Sequence, residues 1–185
     1  MRLLLASGNR YKLRELRAAL PDWEVELLDL PEEPVEDGET FLDNARVKAR
    51  AGRRQAPAES WIAAEDSGIE VAVLGGRPGV ESARWARDPV ARLLAELDGA
   101  DDRRARYVCE LVVLAPGGQE LRGTGTLAGE IAAAPRGSEG FGYDPIFVPH
   151  GESLTVAELG NTWKAEHSHR ARAARELAER LAGRR

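Results

Sequence analysis

Short apolar runs and longer helical stripes alternate from the first residues of this chain. Leu3-Leu4-Leu5-Ala6 is an apolar run, Ser7-Gly8-Asn9 breaks it, and Leu13, Leu16 and Leu20 recur at helical spacing before Pro21. The pattern predicts strand, tight turn and helix. Val25 to Leu30 predicts a second strand, and Pro31 to Gly38 an acidic loop without periodicity. Thr40 takes the position of a helix N-cap, with Asp43 where a capping-box carboxylate would sit. The helix it opens carries Phe41, Asn44, Ala45 and Lys48 on one face, where Asn44 and Lys48 would be costly members of a purely apolar core. Trp61-Ile62-Ala63 and the alternating Ile69 to Val73 predict strands on either side of a turn at Ala64-Glu65-Asp66-Ser67-Gly68.

In the second half, Asp88-Pro89 and Asp98-Gly99 bracket a helix. Arg104 to Leu114 alternates as a strand, Pro116-Gly117-Gly118 turns it, and Gln119 to Ile131 reads as its hairpin partner, with no catalytic signal in either. A glycine-rich loop with two aromatics, Gly137 to Pro145, leads into Ile146-Phe147-Val148, and Ser168 to Leu181 is helical. A chain of 185 residues, 43% hydrophobic and 31% charged, suits one soluble domain spanning 1–185 with room for two lobes. The expected fold is α/β, a long mixed central sheet flanked by helices with a cleft between two lobes.

Composition narrows the chemistry. No apolar run approaches the roughly 20 residues of a membrane span and the start lacks a signal-peptide layout, so the expected location is the cytoplasm, with no membrane partner. A net charge of -5 argues against a nucleic-acid partner. Cys109 stands alone, and His150, His167 and His169 lack zinc-site spacing, so any metal is expected on carboxylates, which points to Mg2+ with Mn2+ as a substitute. All but three of the 26 basic residues are arginine, which singles out Lys12, Lys48 and Lys164.

Several stretches admit a functional and a plain reading. Glu65-Asp66-Ser67 is either a polar turn or a place where paired carboxylates serve a cation or a proton transfer. Ser7, Asn9 and Lys12 at a helix start make either an ordinary connection or a phosphate cradle, in which the side chains of Ser7 and Asn9 add donors to unpaired backbone N–H groups. Phe141 and Tyr143 among glycines either fill core or offer a stacking face to a base. Lys164, His169 and Arg170 near a helix N-terminus oppose its dipole, an arrangement that an anion or acceptor-rich ligand would relieve.

Taken in order, these motifs resemble the inosine/xanthosine triphosphate pyrophosphatases, the Ham1-like family. The resemblance is carried by Ser7-Gly8-Asn9-Arg10-Tyr11-Lys12, Thr40-Phe41-Leu42-Asp43-Asn44-Ala45 with Lys48-Ala49, Glu65-Asp66-Ser67-Gly68 with Leu74 to Val80 and Ser82-Ala83-Arg84, Gly140 to Phe147, and Ser168-His169-Arg170. It implies a homodimeric, magnesium-dependent hydrolase that converts ITP, dITP and XTP to the monophosphate and pyrophosphate. By the same resemblance Ser7, Gly8, Asn9, Arg10, Tyr11 and Lys12 bind the triphosphate. Asp43 and Asp66 bind magnesium, Asp66 is also the proton acceptor, and Ser67 contacts substrate. Phe141, Gly142, Tyr143 and Asp144 line the base pocket, and Lys164, His169 and Arg170 read the base. The chain departs from the family pattern at Asp43, where glutamate is usual, at Glu65, where aspartate is usual, and at Thr162-Trp163, where acids are common. A Maf-like pyrophosphatase of other base preference and a non-catalytic nucleotide-binding protein are the competing readings.

Overall fold

The computed structural model describes residues 1–32 and 34–182; Glu33 of the acidic loop and 183–185 of the domain lie outside the described residues. The first strand-turn-helix is β1 (Arg2–Leu5) and α1 (Arg10–Ala19), followed by β2 (Glu24–Leu27) and α2 (Phe41–Gln55). The long strands β3 (Trp61–Val71), β4 (Arg104–Leu114) and β5 (Glu120–Ile131) come next, with α3 (Pro89–Glu96) between the first two. β6 (Phe147–Pro149), α4 (Val156–His167) and α5 (His169–Ala182) complete the chain. One mixed sheet of order β2-β1-β3-β4-β5-β6 holds them, parallel among β2, β1 and β3 and antiparallel from β3 to β6. Among the described residues no helix is long and apolar enough to cross a membrane.

Side-chain alternation along β1 and β3 builds a core on each sheet face. Leu3, Leu5, Ala63 and Cys109 pack with α1 and α5 through Leu16 and Leu177. Leu4, Ile62, Ala64 and Val112 pack on the other face against Ala45 and Ala49 of α2. Farther along the same strands Ile69, Val71, Tyr107 and Leu127 enter a third core with Leu93, Ile146 and Phe147. β3 and β4 thus run from one lobe into the other, and what they carry at mid-length stands between the lobes.

The turn expected at 64–68 is not there. β3 runs unbroken through it, with Asp66 paired to Glu110, Ser67 to Cys109 and Gly68 to Val108 of β4. Gly68 serves close packing and not a turn: a Cβ there would meet Ser82 Oγ and the carbonyl oxygen of Gly79. α4 shows no continuous helical period in the sequence. Gly160 interrupts it with φ of 83°, which breaks the apolar period, although Thr155 and Glu158 form a capping box that marks its start.

Glycine in β5 sets how closely α5 approaches. At Gly125 a Cβ would meet the carbonyl oxygen of His169 and the backbone nitrogen of Ala173. Backbone cannot yield as a side-chain tip can, so Gly125→Ala is expected to cost about 1–3 kcal/mol. Thermal unfolding should then show Tm lower by about 3–10 °C, and an unchanged Tm would contradict the tight seating of α5.

Candidate active site

At the N-terminus of α1 the polar groups first bond one another. Asn9 is the N-cap, its Oδ1 accepting from the backbone N–H of Tyr11 (2.9 Å) and Lys12 (3.3 Å), while Ser7 Oγ accepts from Asn9 N–H at 3.1 Å. The N–H groups of Asn9, Tyr11 and Lys12 are thus already bonded, so what this turn has left to donate is the Ser7 hydroxyl hydrogen and the Asn9 Nδ2 group. Gly8, Arg10 and Tyr11 are exposed, and Asn9 and Lys12 line the cavity described below.

Adjacent residues of a strand face opposite ways, so Glu65 and Asp66 are not a pair. Asp66 faces α2: its Oδ1 lies 2.9 Å from Lys48 Nζ, and its Oδ2 accepts from Asn44 Nδ2 at 3.2 Å. This accounts for the polar members of the α2 face. Lys48 also meets Glu36 at 2.9 Å, and Arg84 meets Glu36 at 3.2 Å. Burial pushes the Asp66 carboxyl above the usual aspartate range despite Lys48, while Glu36, partly buried too, is held low by Lys48. Asp43 is exposed; its carboxylate accepts from Thr40 Oγ1 at 2.6 Å, and it is not among the residues that line the cavity.

Glu65 faces α1 and α5. It meets Lys12 Nζ at 2.6 Å and Arg170 Nη2 at 3.3 Å, and the same Nη2 donates to Ser67 Oγ at 2.8 Å. Arg170 also pairs with Glu15, which meets Lys164 at 2.6 Å, and Lys164 donates to Asp144 at 2.6 Å. Burial alone would raise Glu15 and Glu65, but Arg170 with Lys164 and Lys12 holds both below the carboxylate range. The cations near α5 are therefore relieved by protein carboxylates, a correction to the expectation that this task falls to a ligand.

His169 is stacked on Tyr107, with ring centroids 4.6 Å apart and planes 10° from parallel, and burial with Arg170 beside it lowers its pKa to about 3. Its Nδ1 is buried without a protein hydrogen-bond partner among the described residues. Asp144 accepts from Lys164, from the Phe141 N–H (2.8 Å) and from Tyr107 Oη (3.2 Å), and burial pushes its carboxyl up. Tyr143 is buried, lines the cavity described below and donates its hydroxyl to the Ser82 carbonyl at 3.0 Å. Trp163 also packs against the third core, that of Leu93, Ile146 and Phe147.

These groups surround a cavity of about 300 Å3 between the lobes. Asn9, Lys12, Asp66 and Ser67 lie along it, and so do Phe141, Gly142, Lys164, His169 and Arg170. Three participants stand in stretches without a local functional signal. Tyr107 sits in the hairpin that gave no catalytic signal. Glu36 lay in an aperiodic loop, and Glu15 fell within a helix read only for its leucines. Among the described residues no three His, Cys, Asp or Glu side chains form a metal cage. Asp66 and Glu36 nevertheless bring two carboxylates to the cavity, enough for a hard divalent cation that keeps waters and takes phosphate oxygens.

Known proteins match this chain from end to end. The model of the Ham1 family matches residues 3–180. The dITP/XTP pyrophosphatase of Symbiobacterium thermophilum is 46% identical over 189 residues, covering 97% of this chain and 94% of that protein. The enzyme of the same name from Bdellovibrio bacteriovorus is 40% identical over 196 residues, with 98% of each chain covered. Among solved structures, the Ham1 protein of Staphylococcus aureus superposes with a TM-score of 0.87 at 34% identity over 100% of both chains. Sequence relatives and structural neighbours agree over nearly the whole length, and the chain belongs to the Ham1 family.

Proposed function

We propose that the chain is a nucleoside triphosphate pyrophosphatase that hydrolyses ITP, dITP and XTP to the monophosphate and pyrophosphate. It acts as a single domain over 1–185, as a homodimer, in the cytoplasm and with Mg2+. The observation that carries this reading is the cavity itself, which gathers Asp66 and Lys12 with Lys164, Arg170 and His169, whose Nδ1 has no protein hydrogen-bond partner among the described residues. The names of the relatives support the substrate class.

Asp66 takes the proton of an attacking water whose oxygen bonds the α-phosphorus; the bond to the bridging oxygen breaks and pyrophosphate leaves. Lys48 and Asn44, bonded to its two oxygens, fix its orientation for that transfer. Lys12, released from Glu65, donates to the charge that gathers on the leaving group. Magnesium would be held by Asp66 with Glu36 or Asp43 and would supply charge neutralisation on the phosphates. Lys164 and Arg170 offer only donors, which match the acceptors O6 and N7 of a 6-oxo purine. The 6-amino group of adenine would set donor against donor, so ITP should be preferred to ATP by on the order of 10²-fold or more in kcat/KM. Incubation with ITP and Mg2+ should release IMP and pyrophosphate in equal amounts. Orthophosphate as the sole phosphate product would overturn the reaction class.

A further inference from the structure

We infer that Tyr11 is a positioning residue for the base and not a triphosphate ligand: it clamps Phe141 across the seam between the lobes. The inference rests on the proposed nucleotide substrate. Tyr11 is 51% exposed, yet its ring is stacked on Phe141, with centroids 5.2 Å apart and planes 25° from parallel. It has little to offer a phosphate from the backbone, because its N–H already donates to Asn9 Oδ1. Phe141 lines the cavity directly over the base-reading cations, with Lys164 Nζ 4.6 Å and the Arg170 guanidinium 5.8 Å from its ring centre.

The loop that carries Phe141 needs such a pin. Gly137, Gly140 and Gly142 all take positive φ, so the segment around Phe141 has much conformational freedom to lose. Its end is held by Asp144, which accepts from the Phe141 N–H, and its middle by Glu139, which accepts from Asn161 Nδ2 at 2.6 Å. Asn161 in turn accepts from Arg14 at 3.0 Å, and Arg14 lies 5.5 Å from the centre of the Tyr11 ring. Two residues one turn apart on α1, Tyr11 and Arg14, thus reach over the seam and hold the same loop. Without the Tyr11 ring, Phe141 keeps its backbone anchor but loses the partner that fixes its plane.

The test uses the full chain with Mg2+. Tyr11→Ala should raise KM for ITP about three- to tenfold, the worth of one aromatic pair, with kcat within about twofold. Tyr11→Phe should restore the wild-type KM, since the ring and not the hydroxyl makes the contact. Inhibition by inorganic tripolyphosphate, which has no base, should be equal in wild type and Tyr11→Ala. In a Phe141→Ala background, Tyr11→Ala should add nothing further. The inference is overturned if Tyr11→Ala leaves KM unchanged, if it weakens tripolyphosphate as much as ITP, if Tyr11→Phe behaves like Tyr11→Ala, or if the two losses add. Wild-type protein that releases no pyrophosphate from ITP would instead remove the functional reading, and the clamp with it.

Discussion

Asp66→Asn should lower kcat for ITP by about 10³-fold, the scale of a lost general base, and leave the fold intact. The geometry separates the two effects. Asp66 is nearly buried, and its partners are Lys48 and Asn44. Removing its charge does not strand Lys48, because Glu36 holds the same ammonium at 2.9 Å. Asparagine also keeps the shape of the side chain that lines the cavity. Tm should therefore stay within a few degrees while turnover collapses, and near-normal turnover would remove Asp66 from its role.

The pH profile of the wild type carries a second signature of the same residue. Asp66 must be ionised to accept a proton, so kcat/KM should fall at acid pH; burial raises its carboxyl in the metal-free chain while bound Mg2+ favours the ionised form, so the fall should move to lower pH as Mg2+ is raised. His169 would be the obvious source of any inflection near neutrality. Its pKa is lowered to about 3, so it is neutral throughout the working range and should add no limb between pH 5 and 8. A profile from pH 4 to 9 for wild type and for His169→Gln checks this. An inflection near 6.5 that disappears in the variant would mean that His169 titrates during turnover.

What could be read from the sequence were elements whose periodicity is local. β1, α1, α2, the β4–β5 hairpin and α5 follow from apolar spacing, caps and turns, and the resemblance brought together residues that the structure places around one cavity. What could not be read depends on pairing across the chain. Glu65-Asp66-Ser67-Gly68 has the composition of a turn, and only its registration against β4 keeps it extended. Once it is a strand, the two acids separate by alternation, Asp66 to α2 and Glu65 to α1 and α5. Glu15 was illegible for a related reason. It falls on a helix that looks amphipathic and surface-bound, and its burial comes from Arg170, 155 residues away.

Arg170→Met should be the most destabilising single change, by about 3–5 kcal/mol. Both members of the pair with Glu65 are only 1% exposed, and the neighbouring charges are Glu15 and Asp144 against Lys12 and Lys164. With Arg170 the cluster balances; without it three buried carboxylates share two ammonium groups, and Ser67 loses its donor. In the wild type the carboxyls of Glu15 and Glu65 have folded pKa values below the ordinary 4.5, so the stability they supply is present above pH 4.5 and is lost as pH falls through those lower values. In the variant the same groups lose their strongest counter-charge, and protonation relieves them. The gap between wild type and variant should therefore be widest near pH 7 and narrow below pH 4.5, as read by urea unfolding at the two pH values. Glu15→Gln in the Arg170→Met background removes the surplus negative charge and should recover part of the loss, whereas the same change in the wild type should destabilise. Equal effects of Glu15→Gln in both backgrounds would mean that the cluster does not act as a charge-balanced unit.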